Sequence, residues 1–354
     1  MRRPGAPMRV VAELEYVKGR RIGASQGRNS EVHLSHDPQI GGEVVVKELD
    51  KARIPDPTRY FAEARAMFAA AHPNVVPIKY ACQTPSVISL VMPYYPKGSL
   101  ADRIAVDPLS PCDAIRMGLD TLVGVRAIHT NGLLHLDIKP SNVLFDSANR
   151  ALVADFGQSE VLGPGGVVTG PRMYERAIPP ECFLHGAAVV ATDLYQVGLT
   201  LYRAVNGDPW FNRQQPSDLR SAVISGDFPD RSAFAPQVPS RLRTVIRQAL
   251  DKDPTTRLPT ATAFIDALTQ IAVSIDWRQS TVASGHVRWT GTPLPLGRAG
   301  LEVDLTPNGS RYDVTIHTVT STARRAKQKA TLWKSGMTNR QAYDHLNKVF
   351  RALS

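Results

Sequence analysis

Cysteine is scarce in this chain of 354 residues. The three present, Cys82, Cys112 and Cys182, are scattered and form no CxxC pair. That excludes a disulfide framework and a cysteine-built zinc site, and it fits a reducing compartment. Long apolar runs are missing as well. No stretch approaches the ~18 apolar residues that cross a bilayer. The basic start MRRPGAPMRVVAELEYVKG has no apolar segment long enough for a signal peptide. A soluble, cytoplasmic chain without a membrane partner is the expectation. There is no internal repeat and no low-complexity tract. With 43% apolar and 21% charged residues, the chain is neither a disordered tail nor a collagen-like fibre. Its length suits two domains of ~150 residues each.

Acidic charge is in deficit, and unevenly so. The net charge is +10. Residues 275–354 hold 12 Lys+Arg against 5 Asp+Glu, or +7, which leaves +3 for residues 1–274. A basic C-terminal segment is either a solvated face or a surface for an acidic partner, whether protein or nucleic acid.

Along the chain, YVKGRRIGASQ, SEVHLSHD and EVVVKELD read as strands, with turn chemistry at Gly41-Gly42. Residues 58–71 read as a helix that stops before His72-Pro73. VVPIKYAC and VISLVMPYY read as two further strands. From Ser110 the character turns helical. Ser110 is the N-cap, Pro111 the first helical residue and Asp113 the third, and Ile115, Leu119, Leu122 and Val125 mark one buried face. Short strands are expected beside Asn142–Phe145 and Ala151–Ala154, then helices over 192–205 and 240–251. A strand-rich part of about 90 residues therefore precedes a helical part that runs to about 272.

The chemistry concentrates in two short stretches. LLHLDIKPSNVLF places Asp137 and Asn142 five apart in an apolar-flanked loop, with Lys139 between them. ALVADFG places Asp155 after an apolar run. Either aspartate alone reads as a turn or cap residue; the pair with Lys139 and Asn142 does not. Upstream, Lys47 lies inside a β-branched strand and Glu63 on the next helix. A strand lysine and a helix glutamate suit a partly buried ion pair that aims the lysine at a phosphate.

Together these residues resemble a eukaryotic-type (Hanks-type) serine/threonine protein kinase. Val44-Val45-Val46-Lys47 is similar to that family's strand-lysine motif. His135-Leu136-Asp137-Ile138-Lys139-Pro140-Ser141-Asn142 is similar to its catalytic loop, and Asp155-Phe156-Gly157 to its metal-binding triplet. His72-Pro73-Asn74-Val75-Val76, Pro179-Pro180-Glu181, Asp193 with Gly198, and Asp253-Pro254-Thr255-Thr256-Arg257 follow in the family's order over residues 16–272. The resemblance implies an α+β fold: a bilobal kinase domain, with a β-rich N-lobe over 16–92 and an α-helical C-lobe over 96–272. An N-terminal extension (1–15) precedes it, and a small C-terminal α+β module (275–354) follows.

It also implies ATP and Mg²⁺ as cofactors and a protein as substrate. Asp137 would take the proton of the substrate hydroxyl, and Lys139 would steady the γ-phosphate. Asn142 and Asp155 would hold Mg²⁺. Lys47, positioned by Glu63, would grip the α- and β-phosphates. Glu181 and Arg257 would pair structurally, and Asp193 would brace the catalytic loop. Leu90–Tyr95 would be the hinge, with Met92 beside the adenine and Tyr94 presenting backbone to it. The phosphate loop departs furthest. Aligned on Val32, G-x-G-x-x-G-x-V becomes Ser25-Gln26-Gly27-Arg28-Asn29-Ser30-Glu31-Val32, and only the middle glycine survives. Leu136 replaces the arginine that usually precedes the catalytic aspartate, so the chain is of the non-RD kind. TGPRMYERAIPPE does not overlay cleanly on the family's G-T-x-x-Y-x-A-P-E. Ser159, Thr169 and Tyr174 lie between Asp155-Phe156-Gly157 and Pro179-Pro180-Glu181 as hydroxyls open to modification. A pseudokinase scaffold, which binds nucleotide and partners without transfer, is the alternative. Lys139 opposes an aminoglycoside-type small-molecule kinase.

Beyond 272 the resemblance ends. HVRW, LEVDL and RYDVTIHTV alternate like strands, with Asn308-Gly309 as a hairpin signal. Residues 323–334 read as a basic helix closed by Gly336. Thr338-Asn339-Arg340-Gln341 is a capping box, and Ala342, Leu346, Val349, Phe350 and Leu353 form the apolar face of a last helix. The whole reads as a ββ(β)αα module. The cluster Arg324, Arg325, Lys327 and Lys329 suits phosphate backbones, but no nucleic-acid motif accompanies it. Docking of a protein partner is favoured over nucleic acid.

Overall fold

A computed structural model describes residues 14–23, 30–54, 56, 61–283, 285–296, 299–319, 324–326 (backbone only) and 332–353. The chain divides into two compact units. One runs up to Phe68 and resumes over Val76–Tyr94; the other comprises Ala69–Val75 and everything from Tyr95.

The first unit is an antiparallel sheet of β1 (Val17–Arg21), β2 (Ser30–Asp37), β3 (Gly42–Asp50), β4 (Tyr80–Gln83) and β5 (Val87–Pro93), in the order β1-β2-β3-β5-β4. Helix α1 (Ala62–Ala69) lies between β3 and β4 in sequence. The period of two along β3 decides which side chain meets what. Val44 and Val46 point to one face and pack with Val91, Tyr16 and Tyr80. Val45, Lys47 and Leu49 point to the other. On that face Leu49 joins Ile88, Leu90 and Ala64 of α1 in a second cluster. The strand expected over 75–82 is shorter, because Pro77 has no N–H for a ladder. Val75 makes a single bridge to Val153 instead.

The second unit opens with α2 (Leu100–Ile104) and α3 (Pro111–Thr130). Ser110 caps α3, its hydroxyl accepting from Asp113 N at 3.2 Å. Leu122 and Val125 are buried as the spacing predicts, but Ile115 and Leu119 are only half-buried. The deepest stripe runs instead through Ala114, Met117 and Thr121, because α3 packs between two other helices. Short strands β6 (Leu133–Leu134), β7 (Val143–Phe145), β8 (Ala151–Val153), β9 (Glu160–Val161) and β10 (Val168–Thr169) follow. Then come α4 (Pro180–His185), β11 (Ala187–Ala188), α5 (Val190–Asn206), α6 (Asp208–Asn212), α7 (Leu219–Ser225), α8 (Ser240–Ala249) and α9 (Ala261–Thr269). The helices packed against α3 are α5 and α9, and β6, β8 and β12 also touch it. Where α5 meets α8, Gly198 is required: a Cβ there would stand 2.7 Å from that of Ala249.

The last part of this unit is a six-stranded antiparallel sheet and one helix. Strands β12 (Ile275–Ala283), β13 (His286–Pro293), β14 (Gly300–Asn308) and β15 (Arg311–Val319) form a meander. Along the far edge of β15 lie β16 (Arg324–Ala326) and β17 (Lys334–Met337). The Asn308-Gly309 hairpin is present, with Asn308 opposite Arg311. Helix α10 (Asn339–Leu353) starts with the expected capping box: Thr338 N donates to Gln341 Oε1 at 3.0 Å, and Gln341 N to Thr338 Oγ1 at 3.3 Å. Its apolar face packs on Trp277, Trp289, Val303 and Ile316, with Phe350 edge-on to Trp277 at 4.9 Å.

Two expectations are corrected here. Among the described residues the basic helix expected over 323–334 is not seen: 324–326 and 334–337 are strands. Arg324, Arg325 and Ala326 are good helix formers, but β15 presents an unpaired row of N–H and C=O groups, and main-chain pairing overrides weak local propensity. Among the described residues the module is accordingly one sheet with one helix, not ββ(β)αα, and β12 was not anticipated. Of the basic cluster, Lys327 and Lys329 and the side chains of Arg324 and Arg325 lie outside the described residues.

This sheet packs directly on the helices. Asp276 Oδ1 accepts from Cys112 N at 3.0 Å in the first turn of α3, and Arg278 pairs with Asp113 at 2.9 Å. Thr281 Oγ1 donates to Asp107 at 2.8 Å. Buried Trp289 donates its Nε1–H to Gln237 Oε1 at 3.0 Å. Gln237→Leu strands that N–H in an apolar site, a cost of ~1–3 kcal/mol. The expected outcome is a lower denaturant midpoint, while Thr290→Ala on an exposed neighbour stays within ~0.5 kcal/mol.

Candidate active site

In the first unit the sheet register aims Lys47 at α1. Lys47 Nζ donates to Glu63 Oε1 at 2.7 Å, with the two side chains only 9% and 8% exposed. Val32 stands directly opposite Lys47 on β2, and Leu90 opposite it on β5. Met92, buried, pairs with Val45 and therefore shares the face of Lys47. Ser30 opens β2 opposite Leu49, and Tyr94 follows β5, half-buried. Ser25 and Gly27 lie outside the described residues. The buried Lys47–Glu63 ion pair is the one the sequence reading expects.

In the second unit the catalytic-loop residues leave β6 in a conformation that α5 dictates. Asp193, fully buried, accepts from His135 N and from Leu136 N, both at 2.8 Å, and His129 Nε2 lies 2.7 Å from its Oδ2. Burial alone would raise the Asp193 pKa. The hydrogen bond and charge of His129, with the hydrogen bond from the His135 backbone, outweigh it and hold the carboxyl below its ordinary value. Three residues on, Gln196 Oε1 accepts from Ile138 N at 3.0 Å, and its Nε2 donates to Leu136 O at 3.1 Å. This grip stabilises the left-handed backbone of Leu136, at φ 64, which costs a non-glycine residue ~1–2 kcal/mol.

His135 is the loop's inner anchor. Its Nδ1 accepts from Asp137 N at 3.3 Å, which leaves Nε2–H to donate to Ala154 O at 3.1 Å. One neutral tautomer satisfies both, and burial keeps the ring neutral by lowering its pKa. Phe156 packs on it, ring centroids 5.0 Å apart.

Asp137 is thereby presented with a divided carboxylate. Its Oδ2 accepts from Lys139 Nζ at 2.8 Å and from Asn142 Nδ2 at 2.9 Å. Its Oδ1 is buried and has no hydrogen-bond donor among the described residues. Burial pushes the Asp137 pKa up, Lys139 opposes this, and the Asp155 charge adds to it. Ala154 N donates to Asn142 O at 2.9 Å, which sets the adjoining Asp155 beside the same loop. Asp155 is itself left-handed, at φ 66, and its Oδ1 accepts from Gly157 N at 3.2 Å. Asp137, Lys139, Asn142 and Asp155 thus converge within this unit, as Lys47, Glu63, Val32 and Met92 do within the other.

Support for the site is structural. Arg257 donates to both oxygens of Glu181, at 2.9 and 2.7 Å, and its guanidinium covers the Tyr195 ring at 4.8 Å. The segment whose overlay was irregular forms a 3₁₀ turn over Glu175–Ala177. Arg176 there stacks on Phe211 and Phe228 at 4.5 and 5.2 Å. Gln196 and His129 were missed by sequence reasoning. The available signal for Gln196 was an amide one turn after Asp193, in the otherwise apolar run LYQVGLTLY.

A family model described as the protein kinase domain matches residues 16–268. The chain belongs to that family. Among similar proteins is the CBL-interacting serine/threonine-protein kinase 21 of Arabidopsis thaliana, 29% identical over 255 residues, which are 71% of this chain and 60% of that protein. The serine/threonine-protein kinase PknB of Mycobacterium tuberculosis is 29% identical over 250 residues, covering 66% of this chain and 40% of PknB. A probable serine/threonine-protein kinase of Dictyostelium discoideum is 30% identical over 238 residues, covering 64% and 14%. This chain therefore matches less than two thirds of the length of each of these relatives.

Breaking the buried Glu181–Arg257 pair from one side leaves an uncompensated charge, at ~3–5 kcal/mol. Arg257→Met is expected to lower the melting temperature far more than Arg116→Met on the exposed surface, as read by calorimetry.

Proposed function

We propose that the chain is an active serine/threonine protein kinase, dependent on ATP and Mg²⁺. One observation carries this reading: the buried Asp137 carboxylate has one oxygen held by Lys139 and Asn142 and the other without a donor among the described residues. An oxygen so prepared is a ready acceptor for a hydroxyl proton. The acceptor hydroxyl oxygen forms a bond to the γ-phosphorus. The bond from that phosphorus to its bridging oxygen breaks, and the electron pair leaves with ADP. The hydroxyl proton passes to Asp137. Lys139 steadies the transferred group, and Lys47, held by Glu63, grips the α- and β-phosphates. Ser25, Gly27, Ser30 and Val32 are proposed for the phosphate cradle, and Met92 and Tyr94 for the adenine.

The residues proposed for Mg²⁺ fit a hard ion. Asn142 commits its Nδ2 to Asp137 O and Oδ2 at 2.8 and 2.9 Å, which leaves an amide oxygen to pair with the Asp155 carboxylate as donors. When bound there, Mg²⁺ neutralises phosphate charge. Lys139 two residues after Asp137 supports serine and threonine acceptors. Leu136, buried where an arginine would reach a loop phosphate, supports activity without loop phosphorylation. The +7 charge of residues 275–354 supports docking of an acidic protein there. A cytoplasmic location belongs to the same proposal, alongside the finding that no helix among the described residues is long and apolar enough to cross a membrane.

The test is transfer of labelled γ-phosphate to the chain itself and to generic protein substrates. Asp137→Asn is expected to lower kcat about 10²–10⁴-fold, with nucleotide still bound. Chelation of Mg²⁺ abolishes transfer, and added Mg²⁺ restores it. The single glycine in the phosphate loop favours the scaffold reading. Nucleotide binding by the wild type with no transfer to any substrate establishes that reading instead. A separate measurement compares activity before and after phosphatase treatment: activity is expected to survive, and a large loss defeats the non-RD argument.

A further inference from the structure

The segment between Asp155-Phe156-Gly157 and Pro179-Pro180-Glu181 brings one aromatic ring to the catalytic pair. Tyr174 immediately precedes the 3₁₀ turn Glu175–Ala177, and its ring centroid lies 5.2 Å from Lys139 Nζ. The same ammonium donates to Asp137 Oδ2 at 2.8 Å. A lysine ammonium on a four-carbon stem is a mobile point charge with three donors. Here it is held between a carboxylate and the negative face of a ring, within the ~6 Å over which that face attracts a cation.

The ring's place is built rather than accidental. Ala177 N donates to Tyr174 O at 2.8 Å and closes the turn. Arg176 anchors it by stacking on Phe211 and Phe228 and by donating to Gln214 O at 2.9 Å. The Gln196 amide donates to Leu136 O at 3.1 Å and to Ala177 O at 3.3 Å. One buried side chain therefore ties the turn that carries Tyr174 to the loop that carries Asp137 and Lys139. Tyr174 itself is 47% exposed, so its ring contributes little to any core.

We propose that Tyr174 is a positioning residue: its ring fixes the Lys139 ammonium beside Asp137, in the orientation that meets the transferred phosphoryl group. The kinetic consequence rests on the phosphotransfer reading; the hold on Lys139 does not. The ring is the active feature and the hydroxyl is not, so Tyr174→Phe keeps the function and Tyr174→Leu, of similar bulk without a π face, loses it.

The experiment uses the full chain with two readouts. The first is the rate of Lys139 modification by acetic anhydride, read by mass spectrometry. Wild type and Tyr174→Phe are expected to react alike, and Tyr174→Leu about two- to fivefold faster, the factor a cation–π contact at a partly exposed site supplies. The second is steady-state transfer: Tyr174→Leu lowers kcat by a similar factor with KM for ATP unchanged, and Tyr174→Phe restores it. Equal labelling of all three proteins, or Tyr174→Phe behaving as Tyr174→Leu, overturns the proposal. A wild type that transfers nothing overturns the phosphotransfer reading, and the labelling contrast still decides the role of Tyr174.

Discussion

The loop over residues 135–142 depends on one buried carboxylate. Asp193 sits inside α5 and holds two consecutive backbone N–H groups of a loop that begins 58 residues earlier. Left-handed backbone at Leu136 is unfavourable by itself and persists only where its surroundings over-determine it. Asp193 and Gln196 supply that surplus from one helical face, while His135 ties the loop to Ala154, just past the end of β8. The divided carboxylate of Asp137 is the result. Its two oxygens differ because the backbone between Leu134 and Asn142 has been given a single path.

A comparable economy governs Lys47. A buried ammonium is costly unless paired, and a glutamate one helix later in sequence is no partner unless the sheet turns the lysine toward it. The alternation along β3 does this. Val44 and Val46 fill one face, and the lysine is left on the face that α1 covers. Placing the same residue one position along the strand would send its charge among Val44, Val46 and Val91.

The C-terminal sheet joins the helical part through specific polar contacts and not through apolar area alone. Asp276 and Arg278 meet the first turn of α3, the helix that leads into the catalytic loop. The Trp289–Gln237 hydrogen bond is buried at both ends. Such contacts fix orientation, because a buried N–H tolerates only a narrow set of acceptor positions.

Much of this was legible in the chain itself. The ordered motifs from Lys47 to Arg257 are local patterns, and local patterns survive in sequence: a β-branched strand, an N-cap at Ser110, a hairpin at Asn308-Gly309, a capping box at Thr338. What was not legible depended on partners distant in the chain. The basic stretch near Arg324 reads as helix until the open edge of β15 claims its main chain. Gln196 is an ordinary amide until Leu136, Ile138 and Ala177 surround it. Tyr174 is one loop hydroxyl among three until the turn at Ala177 sets its ring over Lys139. Residue types and their order follow from sequence, because they express short-range preference; which strand edge is open, and which buried donor faces which acceptor, are decided only when the elements pack.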